Sequence, residues 1–305
     1  MSKTRLVMKA IGCALLLGAI VTISEAQGTS GRDFISTNGV DAGTCAAAAP
    51  CRTITYALTQ LANNGELVFL NSGGYGPATI TQGVTLSAEG VHASISAPSS
   101  SGLTINAPSQ TVTVRGLTIL GDGPMSSDDG ITVTSVGTLY LQGLTIQSFR
   151  FSGVRLNGGN LFMQDSDVRG CFIGLLTQNN GTTAYVHNSN FSLNSAAGVE
   201  VLDGTSVTVA ASSVFQNGSG FVSNANTTAN SMMLINDQVV GNVNGVTSSG
   251  AFSSAMLDHV LVTQNMTGIM VVSGGTMTGT NPGTSLIVGN TTNVTGTIGT
   301  ATVLQ

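Results

Sequence analysis

The chemically capable side chains of this chain fall into three sets. Asp165, Asp167 and His187, with Arg150 and Arg155, lie within a 38-residue stretch. Carboxylate, imidazole and guanidinium groups on one surface are what general acid–base catalysis needs, since one group moves a proton while another stabilises developing charge. Asp122, Asp128 and Asp129 form a second set, whose oxygens suit Ca²⁺, the one cofactor the sequence raises. The third set is aromatic: Tyr140, Phe162 and Tyr185 recur at intervals of 22 and 23 residues. A plainer account stands beside each. The first set is more simply read as solvated polar residues on a sheet edge, the second as an ion pair between Asp128 and Arg150, and the third as a row covered by a flanking segment.

The aromatic interval is the period of the chain itself. A glycine followed by an apolar-x-apolar phrase recurs at Gly130, Gly153, Gly174, Gly198, Gly220, Gly245 and Gly268, with gaps of 23, 21, 24, 22, 25 and 23 residues. A period in this range means a solenoid, in which each repeat buries its apolar face only against its neighbours. Between the glycines runs a second phrase, Val112-x-Val114-x-x-Leu117-x-Ile119, repeated as Leu139-x-Leu141-x-x-Leu144-x-Ile146. Its period of two predicts strands with one buried face, and the two-residue gap predicts a corner. Each coil is read as strand, corner, strand and loop, with no room for a helix, so the fold class is all-β, a single-stranded parallel β-helix.

Equivalent positions in such a fold stack roughly 4.8 Å apart, turning sequence slots into spatial columns. One outward column reads Thr113, Tyr140, Phe162, Tyr185, Thr208, Met233 and Met256. Its neighbour reads Arg115, Gln142, Gln164, His187, Ala210, Ile235 and Asp258, and the corner beside it holds Asp165, Asn188, Asn236 and His259. The aromatic column suits a sugar-stacking platform or a partner surface. Asn217, Asn242, Asn265 and Asn290 also stack in register and predict a structural asparagine ladder. One turn, Gly121–Asp129, is longer than its counterparts, and long loops on rigid scaffolds are where function concentrates.

The ends carry different signals. Residues 1–26, with Lys3, Arg5 and Lys9 before an apolar stretch and Ser24-Glu25-Ala26 after it, read as an export signal. What remains has no lysine, and 13 acidic residues against six arginines leave a net charge of about −7. That excludes nucleic acid and anionic lipid as partners, because both reward basic patches. No second apolar run follows, so the mature chain is expected to lack a membrane span and to be secreted. In an exported chain Cys45 and Cys51 are read as a disulfide, with a metal site the weaker alternative, and Cys171 as a lone buried thiol. Residues 27–83 are read as an N-terminal cap with a short helix over Arg52–Leu61, residues 84–295 as coils, and 296–305 as a closing segment.

The entry segment is the most specific stretch. Phe34-Ile35-Ser36-Thr37-Asn38-Gly39, the Cys45–Cys51 loop, Arg52-Thr53-Ile54, Gly65-Glu66-Leu67-Val68 and Gly74-Tyr75 together resemble the entry module of exported bacterial right-handed β-helix proteins of the pectin-lyase-like superfamily. The resemblance covers residues 33–295 and implies a right-handed coil and an extracellular polysaccharide or cell-surface component as partner. Members of that superfamily include pectate lyases, polygalacturonases and alginate-modifying enzymes, so fold alone does not assign a reaction. The lysine that accompanies the catalytic arginine in calcium-dependent lyases of this fold has no counterpart here. Two functions follow as expectations: binding or processing of extracellular polysaccharide, or a non-catalytic structural or adhesive role.

Overall fold

A computed structural model of the protein describes residues 28–123, 128–279 and 284–300. The export signal read over residues 1–26 lies outside the described residues, as do Pro124–Ser127 of the long turn and the last five residues. Throughout the described residues the chain winds as a parallel β-solenoid. One coil shows the plan: strands Ser152–Leu156, Asn160–Gln164 and Asp167–Arg169, followed by the next coil's Ile173–Thr177, Thr183–His187 and Asn190–Ser192. These coils thus have three strands, one more than the strand–corner–strand expectation, because the glycine phrase is itself a strand. The strands join into a sheet of 20 and a sheet of 10. The larger sheet bends around a corner and presents two outer faces, a glycine face and a ring face. Leu103–Arg115 and Ile131–Gln142 run through that corner unbroken.

Alternating residues build the core. In the coil above, Val154, Leu156, Leu161, Met163 and Val168 are at most 1% exposed. The two-residue corner demands a left-handed backbone, and Asp165, Asn188, Asn236 and His259 adopt it, with φ of +52°, +45°, +57° and +54°. Asp, Asn and His are the side chains that enter this region most readily. The repeated glycine has a different cause. At Gly245 a Cβ would lie 2.4 Å from the carbonyl oxygen of Gly268 in the next coil, so no side chain fits between the stacked strands.

The asparagine ladder lies inside the wall. Asn217 donates through Nδ2 to Oδ1 of Asn242 at 3.0 Å, Asn242 to Asn265 at 3.0 Å, and Asn265 to Asn290 at 2.9 Å. The ladder begins one rung earlier than the sequence suggests, at Asn194, which donates to Asn217 at 3.0 Å. Asn194 stands four residues before its glycine instead of three, which hid it from a fixed-offset search. Cys171 takes the next slot, its backbone N–H donating to Asn194 Oδ1. It is a free, buried thiol, and burial pushes its pKa up to about 11. A thiol so protonated is a poor nucleophile.

The first described turns form the cap. The helix runs Ile54–Gln60, with the hydroxyl of Thr53 accepting the N–H of Tyr56, and buries Ile54, Ala57 and Leu58. Cys45 and Cys51 are joined by a disulfide. Leu61–Phe69 already pairs with Val84–Ser87, so stacking starts within the segment assigned to the cap. At the far end Thr292–Thr295 and Gly299–Thr300 add further parallel pairings. Among the described residues no helix is long and apolar enough to cross a membrane.

Candidate functional site

The ring face carries the densest set of outward side chains. Thr113, Tyr140, Phe162, Tyr185, Thr208, Met233 and Met256 are register partners from coil to coil, as the spacing predicts. Parallel pairing holds each side chain directly over its equivalent, so the first two rings stack and the third lies tilted by 51°. Tyr140 and Phe162 are stacked with centroids 5.3 Å apart and planes 18° from parallel, and Phe162 and Tyr185 follow at 6.5 Å. Phe162 and Tyr185 remain 42% and 41% exposed. Solvent-facing strand positions are ordinarily polar, so an open row of rings is a departure that calls for a ligand or a partner.

Two residues further along each strand lies the polar margin of the row. Arg115, Gln142, Gln164 and His187 are register partners, and His187 stacks beside Tyr185 at 6.4 Å with planes 10° apart. Gln142, Gln164 and His187 line a shallow cavity of about 150 Å³ with Tyr140, Phe162 and Tyr185. The Nε of Arg115 is buried and meets no hydrogen-bond partner. Rings and hydrogen-bonding side chains therefore run as two parallel columns, one apolar and one polar.

The carboxylates sit around the corner. Asp165 accepts a hydrogen bond from Asn188 Nδ2 at 2.6 Å, and Asp167 pairs with Arg169 at 2.8 Å. Both border a second cavity of about 320 Å³, with Gly143, Thr145 and Asn190. Arg150 and Arg155 lie elsewhere, where the coil enters the glycine face, and their guanidinium groups lie 5.0 and 5.9 Å from the ring of Phe151. The acid–base set thus divides in two: Asp165 adjoins His187 on the next coil, its backbone N–H donating to the His187 carbonyl at 3.3 Å with Asp167 two residues on, whereas the arginines lie beyond another turn.

The aspartates of the long turn also separate. The inter-coil ion pair joins Asp129 to Arg155, not Asp128 to Arg150. Asp129 is buried and accepts from Arg155 Nε at 2.8 Å and Nη2 at 3.1 Å, from Ser152 N at 2.8 Å and from Thr132 Oγ1 at 3.0 Å. Both its oxygens are spent on that network, so holding a cation would break a buried pair. Asp122 borders a different, smaller cavity with Ser96, Pro98 and Leu120. Among the described residues no three His, Cys, Asp or Glu side chains converge as a metal would need.

One acid escapes a column search. Glu200 faces outward on the glycine face between Leu176 and Val222, and burial raises its pKa. Its register column also holds Arg155 two coils earlier, with Leu176 between them and Val222 after it.

A parallel β-solenoid with an exposed aromatic column defines the class. Residues 101–291 match the model of the right handed beta helix region, and the chain belongs to that family. No curated protein sequence matches it. Among solved structures it is similar to the pectate lyase Pel9A, at 14% identity and a TM-score of 0.61, over 84% of this chain and 76% of that one. It is also similar to XylC, solved in complex with xylose, at 9% identity and a TM-score of 0.65, over 82% and 69%. At these identities the likeness speaks for the fold alone.

Proposed function

We propose that the protein is exported and binds extracellular polysaccharide along the ring face. The observation that carries this is the in-register row Tyr140–Phe162–Tyr185, left open and edged by Gln142, Gln164 and His187. A sugar chain offers apolar C–H faces and hydroxyl edges, and the two columns offer rings for the first and amide or imidazole groups for the second. The rings repeat at the coil spacing, so a polymer laid along the solenoid axis engages one after another. The solved structures of similar fold include a pectate lyase and a xylose complex, which supports a carbohydrate ligand. The Cys45–Cys51 disulfide supports an oxidising compartment, as export requires.

Affinity electrophoresis of the mature protein in gels containing neutral or acidic polysaccharides tests this, with Ca²⁺ and with chelator. At least one polymer is expected to retard the protein, and Phe162→Ala is expected to weaken that binding about tenfold, about 1.4 kcal/mol for one stacked ring. Retention lost in chelator and restored by Ca²⁺ would place a cation in the complex, and release of unsaturated products would add lyase chemistry to binding. No retardation across the panel would remove the polysaccharide proposal and leave the ring row as a structural or adhesive contact surface.

A further inference from the structure

We infer a second binding site, for an uncharged sugar, on the outer face of the 10-strand sheet. Residues Ser213–Phe215 and Gln238–Val240 are consecutive strands of that sheet, paired so that Ser213 lies beside Gln238 and Phe215 beside Val240. Asn190 precedes Ser213 in the same column. Around them opens a cavity of about 490 Å³, whose lining also includes Gln216, Gly241 and Gln264. That volume lies within the range of small-ligand sites, roughly 300–1,000 Å³.

The cavity exists because of one glycine. At the corner that follows each of these strands the backbone is left-handed, at Gln216 (φ +57°), Gly241 (φ +69°) and Gln264 (φ +59°). The two glutamines project on either side, while the glycine between them leaves a gap one side chain wide. A Cβ at Gly241 would meet only Gln216 Cγ, at 3.9 Å, an ordinary contact. The left-handed backbone favours glycine, but Gln216 and Gln264 hold the same conformation on either side, so what glycine adds at this corner is the gap.

The lining chemistry is selective. The ring of Phe215, 37% exposed, and Val240 make the apolar floor. Asn190, Gln216, Gln238 and Gln264 supply four side-chain amides, none hydrogen-bonded through its side chain to any described residue. Each amide offers both donor and acceptor, the complement of hydroxyl groups, which do the same. No lining residue carries a charge. The nearest charged residues in these columns, Asp167 and Arg169 one coil before Asn190 and Ser192, are paired with each other. An acidic sugar would desolvate its carboxylate against amides alone, whereas a neutral pyranose loses nothing of the kind. The site is on a different sheet from the ring face and does not depend on it.

The test is titration of the mature protein with D-glucose, D-galactose, D-mannose and cellotetraose, with D-galacturonate as the charged control, followed by saturation-transfer and shift-perturbation NMR. At least one neutral sugar is expected to bind. Phe215→Ala and Gly241→Gln are expected to weaken that binding tenfold or more, while Phe162→Ala leaves it unchanged. Gly241→Gln places in this corner the residue that both flanking coils already hold in the same backbone conformation, so an unchanged melting temperature ties the loss to a filled cavity. Absence of binding by every neutral sugar, binding that survives both variants, or galacturonate bound as tightly as the neutral sugars would each overturn the inference.

Discussion

Replacing Asn242 by alanine is expected to destabilise the fold by about 3–5 kcal/mol, as several buried groups each lose a partner worth about 1–3 kcal/mol. Asn242 is 3% exposed and sits in the middle of the ladder. Its Oδ1 accepts both the backbone N–H of Asn217, at 2.9 Å, and Asn217 Nδ2, at 3.0 Å. Its own Nδ2 reaches Asn265 Oδ1 and the carbonyl of Val214. Alanine strands all of these inside a wall that water does not enter. The loss is cooperative, because every rung holds the backbone of the coil before it, and a solenoid is stable only through such nearest-neighbour contacts. Urea unfolding followed by circular dichroism measures it, with exposed Thr183→Ala as the control, expected within about 0.5 kcal/mol of wild type. An Asn242→Ala protein as stable as that control would mean that the ladder is ornamental.

Raising the pH from 4 to 8 is expected to weaken the fold, chiefly through Asp237. Serines occupy the equivalent slot in three successive coils. Ser166, Ser189 and Ser212 each accept a backbone N–H from the preceding coil, and each returns its hydroxyl to a carbonyl two residues back. The following coil has Asp237 in that slot, 1% exposed, accepting the N–H groups of Ser212 and Ile235. Those two bonds favour the carboxylate, but burial outweighs them and raises its pKa from 3.8 to about 7. The folded state therefore keeps a proton that the unfolded chain has released. Stability contributed by this group is full below about pH 4, falls as pH rises towards 7, and is level beyond it. A gap of about 3 pH units corresponds to about 4 kcal/mol at most. Asp237→Ser restores the repeating residue and is expected to flatten the profile, leaving the variant more stable than wild type at pH 8 and no more stable at pH 4. Thermal melts across pH 4–8 decide it; parallel wild-type and variant profiles would show that Asp237 ionises freely where it lies.

The columns that carry the site were legible because a solenoid converts sequence distance into spatial contact. Tyr140, Phe162 and Tyr185 are separated by one coil each, and variation in coil length falls in the turns, leaving strand registers intact. The same holds for Gln142, Gln164 and His187. At the turns this legibility fails. The Asn194 rung is displaced by one residue because its turn is one longer. The Asp129–Arg155 pair, offset by 26 residues instead of 22, depends on where the chain leaves the long turn and on which way Arg155 leans across Phe151.

By itself the sequence determined the period, the parallel strands, the cap helix, the asparagine ladder and the register of the aromatic row, while its exposure came from the tertiary structure. All but that exposure follow from side-chain alternation and from contacts between each coil and the next. Only the tertiary structure decided which polar groups share a neighbourhood. It separated Asp165 and Asp167 from the arginines, withdrew Asp129 into an ion pair, buried Asp237 in a serine rung and opened the cavity at Gly241. These outcomes depend on the direction in which side chains leave left-handed corners, where a change of one residue in turn length redirects a side chain without changing the repeat.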